Sequence, residues 1–179
     1  MNLQASPIDA HSSDLPRLEK LNREAFPPQE RLETPKLLAM AAEGLVEIWA
    51  FRDGKLFVGF ATVMPYGPLG YIWFFAVEHT LRGRGYGSQA LALLKELYQG
   101  RQLVLDLEEL DDSAPNPQQR QARRAFYLRN GYCPTGWFMA YGGATFEVLS
   151  QGEPFLLQAF AEMVQAMGIR GFHPRFFQK

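Results

Sequence analysis

Cysteine is almost absent from this chain: Cys133 is the only one among 179 residues, so no disulfide can form within it. A protein without disulfides is typical of a reducing compartment, and we therefore expect a cytoplasmic location. Long hydrophobic runs are absent too. The longest, YIWFFAV, is far shorter than the roughly 20 residues that cross a membrane, and the N-terminal stretch lacks a signal-peptide core. We expect no membrane association.

An excess of charge of either sign is also missing. The formal net charge is -1, from 18 Lys and Arg against 19 Asp and Glu, which argues against nucleic acid as a partner. The histidines His11, His79 and His173 are far apart, and no HxxxH or CxxC pair occurs, so we expect no metal site. A hydrophobic fraction of 47% is ordinary for a globular protein. We expect one domain over residues 1–179, with a small molecule as its partner.

Hydrophobic periodicity predicts a mixed α/β (α+β) fold. Two helices near the N-terminus, the first capped by the side chains of SSD, precede a run of three strands. A helix then links the third strand to a further one through a right-handed crossover, and another helix, a hairpin and a terminal helix follow. This order predicts a central sheet that is mixed but mostly antiparallel and is flanked by helices. Residues 151–179 form a C-terminal extension to which the sequence assigns no role.

The stretch LRGRGYGSQAL, residues 81–91, places three glycines at the start of a predicted helix. The first N–H groups of a helix have no partner within it, and the helix dipole makes that end partly positive. Glycines allow a phosphate to approach the backbone closely, so this loop predicts a phosphorylated cofactor. The residues expected to bind it are Arg82, Gly83, Arg84, Gly85, Tyr86, Gly87 and Ser88.

Two other phosphate-binding motifs fit less well. A P-loop requires a lysine that this loop lacks. A dinucleotide fingerprint could use Gly83 and Gly85, with Asp106 at the end of the next strand as the ribose-binding acid. However, Ser88 occupies the third glycine position, and only one crossover is visible.

The pattern Arg82-x-x-Gly85-x-Gly87 resembles the [QR]xxGx[GA] pyrophosphate loop of the GNAT N-acetyltransferase superfamily. The segment ARRAFYLRNGY, residues 122–132, resembles the second signature of that superfamily, a helix that carries a tyrosine and ends in Gly-aromatic. The resemblance implies acetyl-coenzyme A as cofactor, direct attack of an amine on it, and a sheet splayed between strands 4 and 5. Many relatives carry an Asn seven residues before the Tyr, where this chain has Arg120.

The resemblance also implies roles for individual residues near the cofactor. Tyr127 would protonate the departing thiolate, although by itself such a residue is more often a half-exposed aromatic. The backbone N–H near Val77 would polarise the acetyl carbonyl, with Phe75 and Ala76 beside the cofactor. The residues expected to hold cofactor phosphates are Arg120 and Arg124, which together with Arg123 would lower the pKa of Tyr127.

The acceptor site is less defined. Glu30, between the first two helices, lies where the resemblance places the acceptor, and it is a candidate for both base and substrate ligand. Asp106 and Glu108 share one strand face and are alternatives. Trp73, with Phe75 and Tyr66, would line the pocket, and any of these residues could instead be solvated or part of the core.

Three functions remain open at this point. The first is acetylation of a small-molecule amine or amino acid, the second acetylation of a peptide or protein, and the third non-catalytic binding of acetyl-coenzyme A. A covalent acetyl-enzyme is disfavoured because no histidine lies near Cys133 in the sequence. The oligomeric state is expected to be monomer or homodimer.

Overall fold

A computed structural model describes residues 2–28, 30–169 and 172–179. The helices are α1 (Leu15–Ala25), α2 (Thr34–Ala42), α3 (Tyr86–Leu97), α4 (Pro117–Arg129) and α5 (Leu157–Ala166). The strands are β1 (Leu3–Pro7), β2 (Glu47–Asp53), β3 (Leu56–Tyr66), β4 (Leu69–Val77), β5 (Gln102–Glu108), β6 (Cys133–Tyr141), β7 (Ala144–Ser150) and β8 (Arg175–Gln178). They are hydrogen-bonded in the order β1-β2-β3-β4-β5-β7-β6-β8.

The chain forms two compact units, and β4 contributes to both of them. The first unit comprises the residues up to Pro65 together with Ile72–Gln99. In it, β2 pairs antiparallel with β1 and with β3, opposing Ala50 to Phe60 and Phe51 to Ala5. The centres of β2, β3 and β4 are buried, and these strands form the core of the unit.

The second unit comprises Tyr66–Tyr71 and Gly100–Lys179. Here β5 runs parallel to β4 for only three residue pairs, from Leu69↔Gln102 to Tyr71↔Val104. Beyond β5 the pairing is antiparallel, through β7 and β6 to β8. The mostly antiparallel sheet flanked by helices is confirmed, and the early end of the β4–β5 ladder is the predicted splay.

Three features of the chain differ from the sequence-based description. The strands β1 and β8 were not predicted, because LQASP and RFFQ are short and carry no clear alternation. The predicted side-chain cap of α1 is wrong: Asp14 makes no cap hydrogen bond, and its Oδ2 accepts from Arg52 Nε at 2.6 Å. The extension after residue 150 supplies α5 and β8 to the second unit, whereas the single domain over residues 1–179 stays a prediction.

Gly59 on β3 allows an unusually close approach to the end of β4, within the first unit. A Cβ at this position would lie 2.2 Å from the carbonyl oxygen of Ala76 and 3.0 Å from Cα of Val77. The Glu78 N–H also donates to the Val58 carbonyl at 2.9 Å. The backbone at the end of β4 is therefore held in place by a neighbouring strand that has no side chain to interpose.

Candidate active site

The glycine loop of the first unit joins the end of β4 to α3. A short 3-10 turn, His79–Leu81, follows β4, and α3 begins after Gly85, which is its N-cap residue. Gly83 has a φ of +74° and Gly85 a φ of +84°, a region that side chains other than glycine rarely adopt. A Cβ built on either glycine would meet no atom within 4 Å. The two glycines are thus required by backbone conformation, and the space beside them is open.

The backbone N–H groups at the start of α3 suit an anion. The first hydrogen bond of the helix runs from the Gln89 N–H to the Gly85 carbonyl at 3.2 Å. The N–H groups of Tyr86, Gly87 and Ser88 precede it and have no acceptor within the helix. The open space at Gly83 and Gly85 and this positive helix end together fit a pyrophosphate group.

Two predicted cofactor residues in the loop have a further role that the sequence did not indicate. The Nε of Arg82 donates to the Val77 carbonyl at 3.1 Å and fixes the loop to the end of β4. The Tyr86 ring is buried, and its hydroxyl donates to Asp53 Oδ2 at 2.8 Å. That hydrogen bond raises the pKa of Tyr86, and the pKa of Asp53 is lowered by the Asn2 N–H and by Tyr86. Tyr86 therefore presents only its backbone to a ligand.

The aromatic residues of β4 face two sides of the strand. Phe75 contacts Phe51, at 6.2 Å between ring centroids, whereas Phe74 contacts Phe26 at 5.1 Å. Trp73 and Phe75 are half-buried, and Ala76 and Val77 are buried, at the place where the cofactor is predicted. The sequence had singled out Phe75 but missed Phe74 and Phe26, whose only signal was the chain break FPP.

Glu30 lies in the turn between α1 and α2 and is exposed. Its N–H donates to the Pro27 carbonyl at 3.0 Å. Farther along the same connection, buried Asn22 on α1 donates its Nδ2 to the Leu32 carbonyl at 2.8 Å. A single side chain of α1 thus anchors the segment that carries the predicted base, and sequence reasoning had not identified it.

In the second unit, Tyr127 is the one buried residue of α4. Its ring packs edge-on against Phe126 and Tyr132, at 5.2 and 5.7 Å between centroids. The half-exposed alternative is therefore wrong. Just after it, Gly131 has a φ of +83°, and the N–H groups of Gly131 and Tyr132 donate to the carbonyls of Leu128 and Tyr127. This is the predicted glycine end of the helix, and it fixes the backbone on both sides of the tyrosine.

Burial governs the ionisation of Tyr127 and raises its pKa to about 12. The charge of Arg123 lowers the pKa by a smaller amount, and the charge of Asp106 raises it. The predicted net lowering by the arginines is wrong, because desolvation of the phenolate outweighs the attraction of one guanidinium. Tyr127 consequently keeps its proton through neutral and moderately alkaline pH.

The arginines of α4 are engaged by carboxylates of neighbouring strands. Arg124 forms a two-pronged ion pair with Glu147, with Nε–Oε2 at 2.7 Å and Nη2–Oε1 at 3.0 Å. Arg120 contacts Glu108 Oε1 at 2.8 Å, and Arg123 contacts Glu108 Oε2 at 3.1 Å. Glu108 is thus neutralised by two cations, which argues against it as a substrate ligand. Any phosphate bound by Arg120 or Arg124 would have to compete with these pairs.

Asp106, on the same strand as Glu108, has a different partner. The Tyr71 hydroxyl on β4 donates to its Oδ1. Tyr71 is buried, whereas Asp106 is half-buried. The neutral hydroxyl leaves the charge of the carboxylate in place, so the two predicted acids of β5 are no longer equivalent.

Several other sequence predictions concern the rest of the described chain. Cys133, the first residue of β6, is exposed and lies opposite Ser150 on β7. Over residues 2–28, 30–169 and 172–179 there is no cluster of three His, Cys, Asp or Glu that could hold a metal ion. Within those same ranges, every helix is too short or too polar to span a membrane.

Comparison with known proteins bears on this geometry. Solved structures with the same fold include a protein from Bacteroides thetaiotaomicron assigned to the GNAT family. It is 23% identical, with a TM-score of 0.71, and the match covers 94% of this chain and 98% of that one. An aminoglycoside 6'-N-acetyltransferase complexed with coenzyme A is 17% identical, with a TM-score of 0.66 and coverage of 85% and 99%. The ribosomal-protein-S18-alanine N-acetyltransferase of Escherichia coli is 16% identical, with a TM-score of 0.62 and coverage of 86% and 99%.

At these identities the structural matches show a shared fold alone. A comparison with curated protein sequences finds no match. The sequence model of the acetyltransferase (GNAT) family, however, matches residues 15–132, which include both the glycine loop and the tyrosine of α4. This chain belongs to the acetyltransferase (GNAT) family.

Proposed function

We propose that this enzyme transfers an acetyl group from acetyl-coenzyme A to the primary amine of a small molecule or amino acid. The glycine loop carries this proposal, because Gly83 and Gly85 leave open space beside the unpaired N–H groups of α3. The coenzyme A held by the aminoglycoside acetyltransferase supports the choice of cofactor. The same relative supports a small amine as acceptor, whereas the ribosomal-protein enzyme supports the protein-acetylating alternative.

In this proposal the residues of the first unit bind and orient. The N–H groups of Tyr86, Gly87 and Ser88 hold the pyrophosphate. When bound, acetyl-coenzyme A supplies the thioester whose acetyl group is transferred. The Val77 backbone N–H donates to the acetyl oxygen, and the Arg82 contact to the Val77 carbonyl restrains the chain beside it.

The experiment that tests this function is an acceptor panel. Alkylamines, amino acids, aminoglycosides and short peptides with a free N-terminus are each incubated with acetyl-coenzyme A, and formation of coenzyme A is followed by chromatography. We expect release above the hydrolysis background with small amines. Binding of the cofactor without release for any acceptor would identify a non-catalytic module, and release with peptides alone would identify a protein acetyltransferase.

Tyr127 is proposed to protonate the departing thiolate. Tyr127→Phe should lower kcat about 100-fold, the low end for general acid catalysis, because a thiolate also leaves unaided. Cofactor affinity should stay near that of the wild type. Since burial raises the pKa of Tyr127 to about 12, the wild-type rate should show no descending limb from Tyr127 below about pH 11. A rate–pH profile of both proteins tests this, and equal kcat values would remove Tyr127 from the mechanism.

The same raised pKa affects folding. The neutral tyrosine is favoured in the folded state, so its contribution to stability is complete below the ordinary pKa of 10.0 and is lost as pH rises through about 12. Tyr127→Phe should therefore unfold with a weaker pH dependence than the wild type between those two values.

Glu30 is proposed as the base that accepts the proton of the amine. Glu30→Gln should lower kcat/KM for the amine at least 10-fold and leave acetyl-coenzyme A affinity unchanged. Glu33→Gln, two helix-proximal positions later in the same connection, is the matched control, since Glu33 pairs with Arg31 at 3.0 Å. Equal turnover in the Glu30 and Glu33 variants would mean that another group accepts the proton.

A further inference from the structure

The contact between Tyr71 and Asp106 in the second unit is not explained by the roles assigned so far. Tyr71 lies at the last residue pair of the β4–β5 ladder, opposite Val104. Its hydroxyl donates to Asp106, two residues farther along β5. Asp106 thus stands where β5 has just lost its partner strand, and a residue of β4 still determines where its carboxylate points.

The proton of this hydrogen bond stays on the tyrosine. Burial raises the pKa of Tyr71 well above 10.0, and the charge of Asp106 and the nearby Tyr141 raise it further. A donor that does not ionise keeps the carboxylate as a charged acceptor. By contrast, the other two acids near α4, Glu108 and Glu147, are neutralised by arginines.

The surroundings favour an organic cation over a metal ion. Tyr71 packs edge-on against Phe160 at 5.4 Å, and Tyr141 stacks on Phe146 at 4.5 Å. In the described part of the chain no three metal-binding side chains come together. A half-buried carboxylate beside aromatic rings suits an ammonium group on a carbon skeleton, since the rings accept the carbon atoms and attract the charge.

We propose that Tyr71 is a positioning residue that fixes Asp106 as the binding group for the ammonium form of the acceptor, and that this pair selects cationic alkylamines over uncharged amines. The inference rests on the proposed acetyl transfer and narrows its acceptor class. Asp106 contacts the substrate, and Tyr71 acts only through Asp106.

The test compares a cationic acceptor, phenethylamine, with a neutral one of similar size, aniline, at pH 7.5. Asp106→Asn keeps the shape and removes the charge, and it should raise KM for phenethylamine about 10–100-fold, the loss expected for a charge-assisted hydrogen bond. Tyr71→Phe removes only the orienting hydroxyl and should raise that KM about 3–10-fold with kcat within about 2-fold. Neither change should alter KM for aniline by more than about 2-fold.

Tyr98→Phe is the matched control. The Tyr98 hydroxyl also donates to a carboxylate, that of Glu47, and accepts from Trp49 Nε1 at 2.8 Å in the first unit. Its removal is the same chemical change, and it should leave the ratio of the two KM values unaltered. Parallel losses for phenethylamine and aniline in Tyr71→Phe, or a change in that ratio as large in Tyr98→Phe, would overturn the proposal.

A second measurement separates this inference from the acetyl transfer itself. Calorimetric titration of each amine into the enzyme saturated with coenzyme A needs no turnover. Weaker phenethylamine binding in Asp106→Asn and Tyr71→Phe, with aniline unaffected, supports the pair even if the acceptor panel gives no product. Should the panel give product while both variants bind phenethylamine as the wild type does, acetyl transfer stands and the Tyr71–Asp106 proposal falls.

Discussion

Gly85→Asp is expected to weaken acetyl-coenzyme A binding at least 100-fold, to the edge of detection. Two effects combine at this position. Gly85 has a φ of +84°, where a residue with a Cβ is strained by about 1–2 kcal/mol. The new carboxylate would also occupy the open space beside the N–H groups of α3 and repel the pyrophosphate. Calorimetric titration of the cofactor measures the loss directly.

Gly85→Asn separates these two effects. Asparagine is nearly the same size as aspartate, adopts the left-handed region more readily than most residues, and carries no charge. We expect it to bind the cofactor more weakly than the wild type but about 10-fold or more better than Gly85→Asp. If Gly85→Asp binds with near-native affinity while its circular dichroism spectrum is unchanged, the loop is not the pyrophosphate site.

Arg124→Ala is expected to cause the largest loss of stability among the charged residues of α4. It would leave Glu147, whose side chain is 9% exposed, without the cation that holds both of its oxygens. Removing one partner of a buried ion pair typically costs about 3 kcal/mol or more, which corresponds to roughly 10 °C in Tm for a chain of this size. Thermal unfolding followed by circular dichroism measures the change.

Arg123→Ala is the natural comparison, because Arg123 is 46% exposed and its partner Glu108 keeps a second arginine. It should cost less than about 1 kcal/mol. The double variant Arg124→Met with Glu147→Leu, which removes both charges, should recover most of the stability. If Arg124→Ala instead melts like Arg123→Ala, the pair does not hold α4 against β7.

The same variant also tests the predicted phosphate contact of Arg124. If the guanidinium holds the 3'-phosphate, Arg124→Ala loses more affinity for coenzyme A than for 3'-dephospho-coenzyme A. An equal loss for both ligands would assign the effect to packing of α4. The two affinities come from titrations at a temperature where the variant remains folded.

The order of helices and strands and the glycine loop could be predicted because they depend on local patterns. Glycines with positive φ, an apolar stripe at helical spacing and an uninterrupted buried strand are all visible within a few residues of one another. The strands β1 and β8 were missed because their pairing depends on residues 45 or more positions away, such as Phe51 opposite Ala5. Four or five residues carry too little pattern to indicate such a partner.

The environment of the candidate site was harder to predict than its location. Three arginines on one helix look like a phosphate-binding face, yet their partners Glu108 and Glu147 lie on other elements of the second unit. Likewise, helical spacing placed Tyr127 at an angle to the apolar stripe of α4 but could not show that Tyr132, beyond the helix end, covers it. The rise in its pKa follows from that burial, and burial is a property of the whole unit rather than of the segment.

The exposure of Cys133 has a practical consequence for measuring this enzyme. Acetyl transfer is commonly followed with a disulfide reagent that turns coloured on reaction with free thiol, and each protein chain would itself contribute one equivalent of colour. At high enzyme concentration this would resemble a single-turnover burst in which no acetyl group has moved. A Cys133→Ala chain gives a baseline free of that signal, and the native thiol, the only one in the sequence, accepts a fluorescent label at the start of β6.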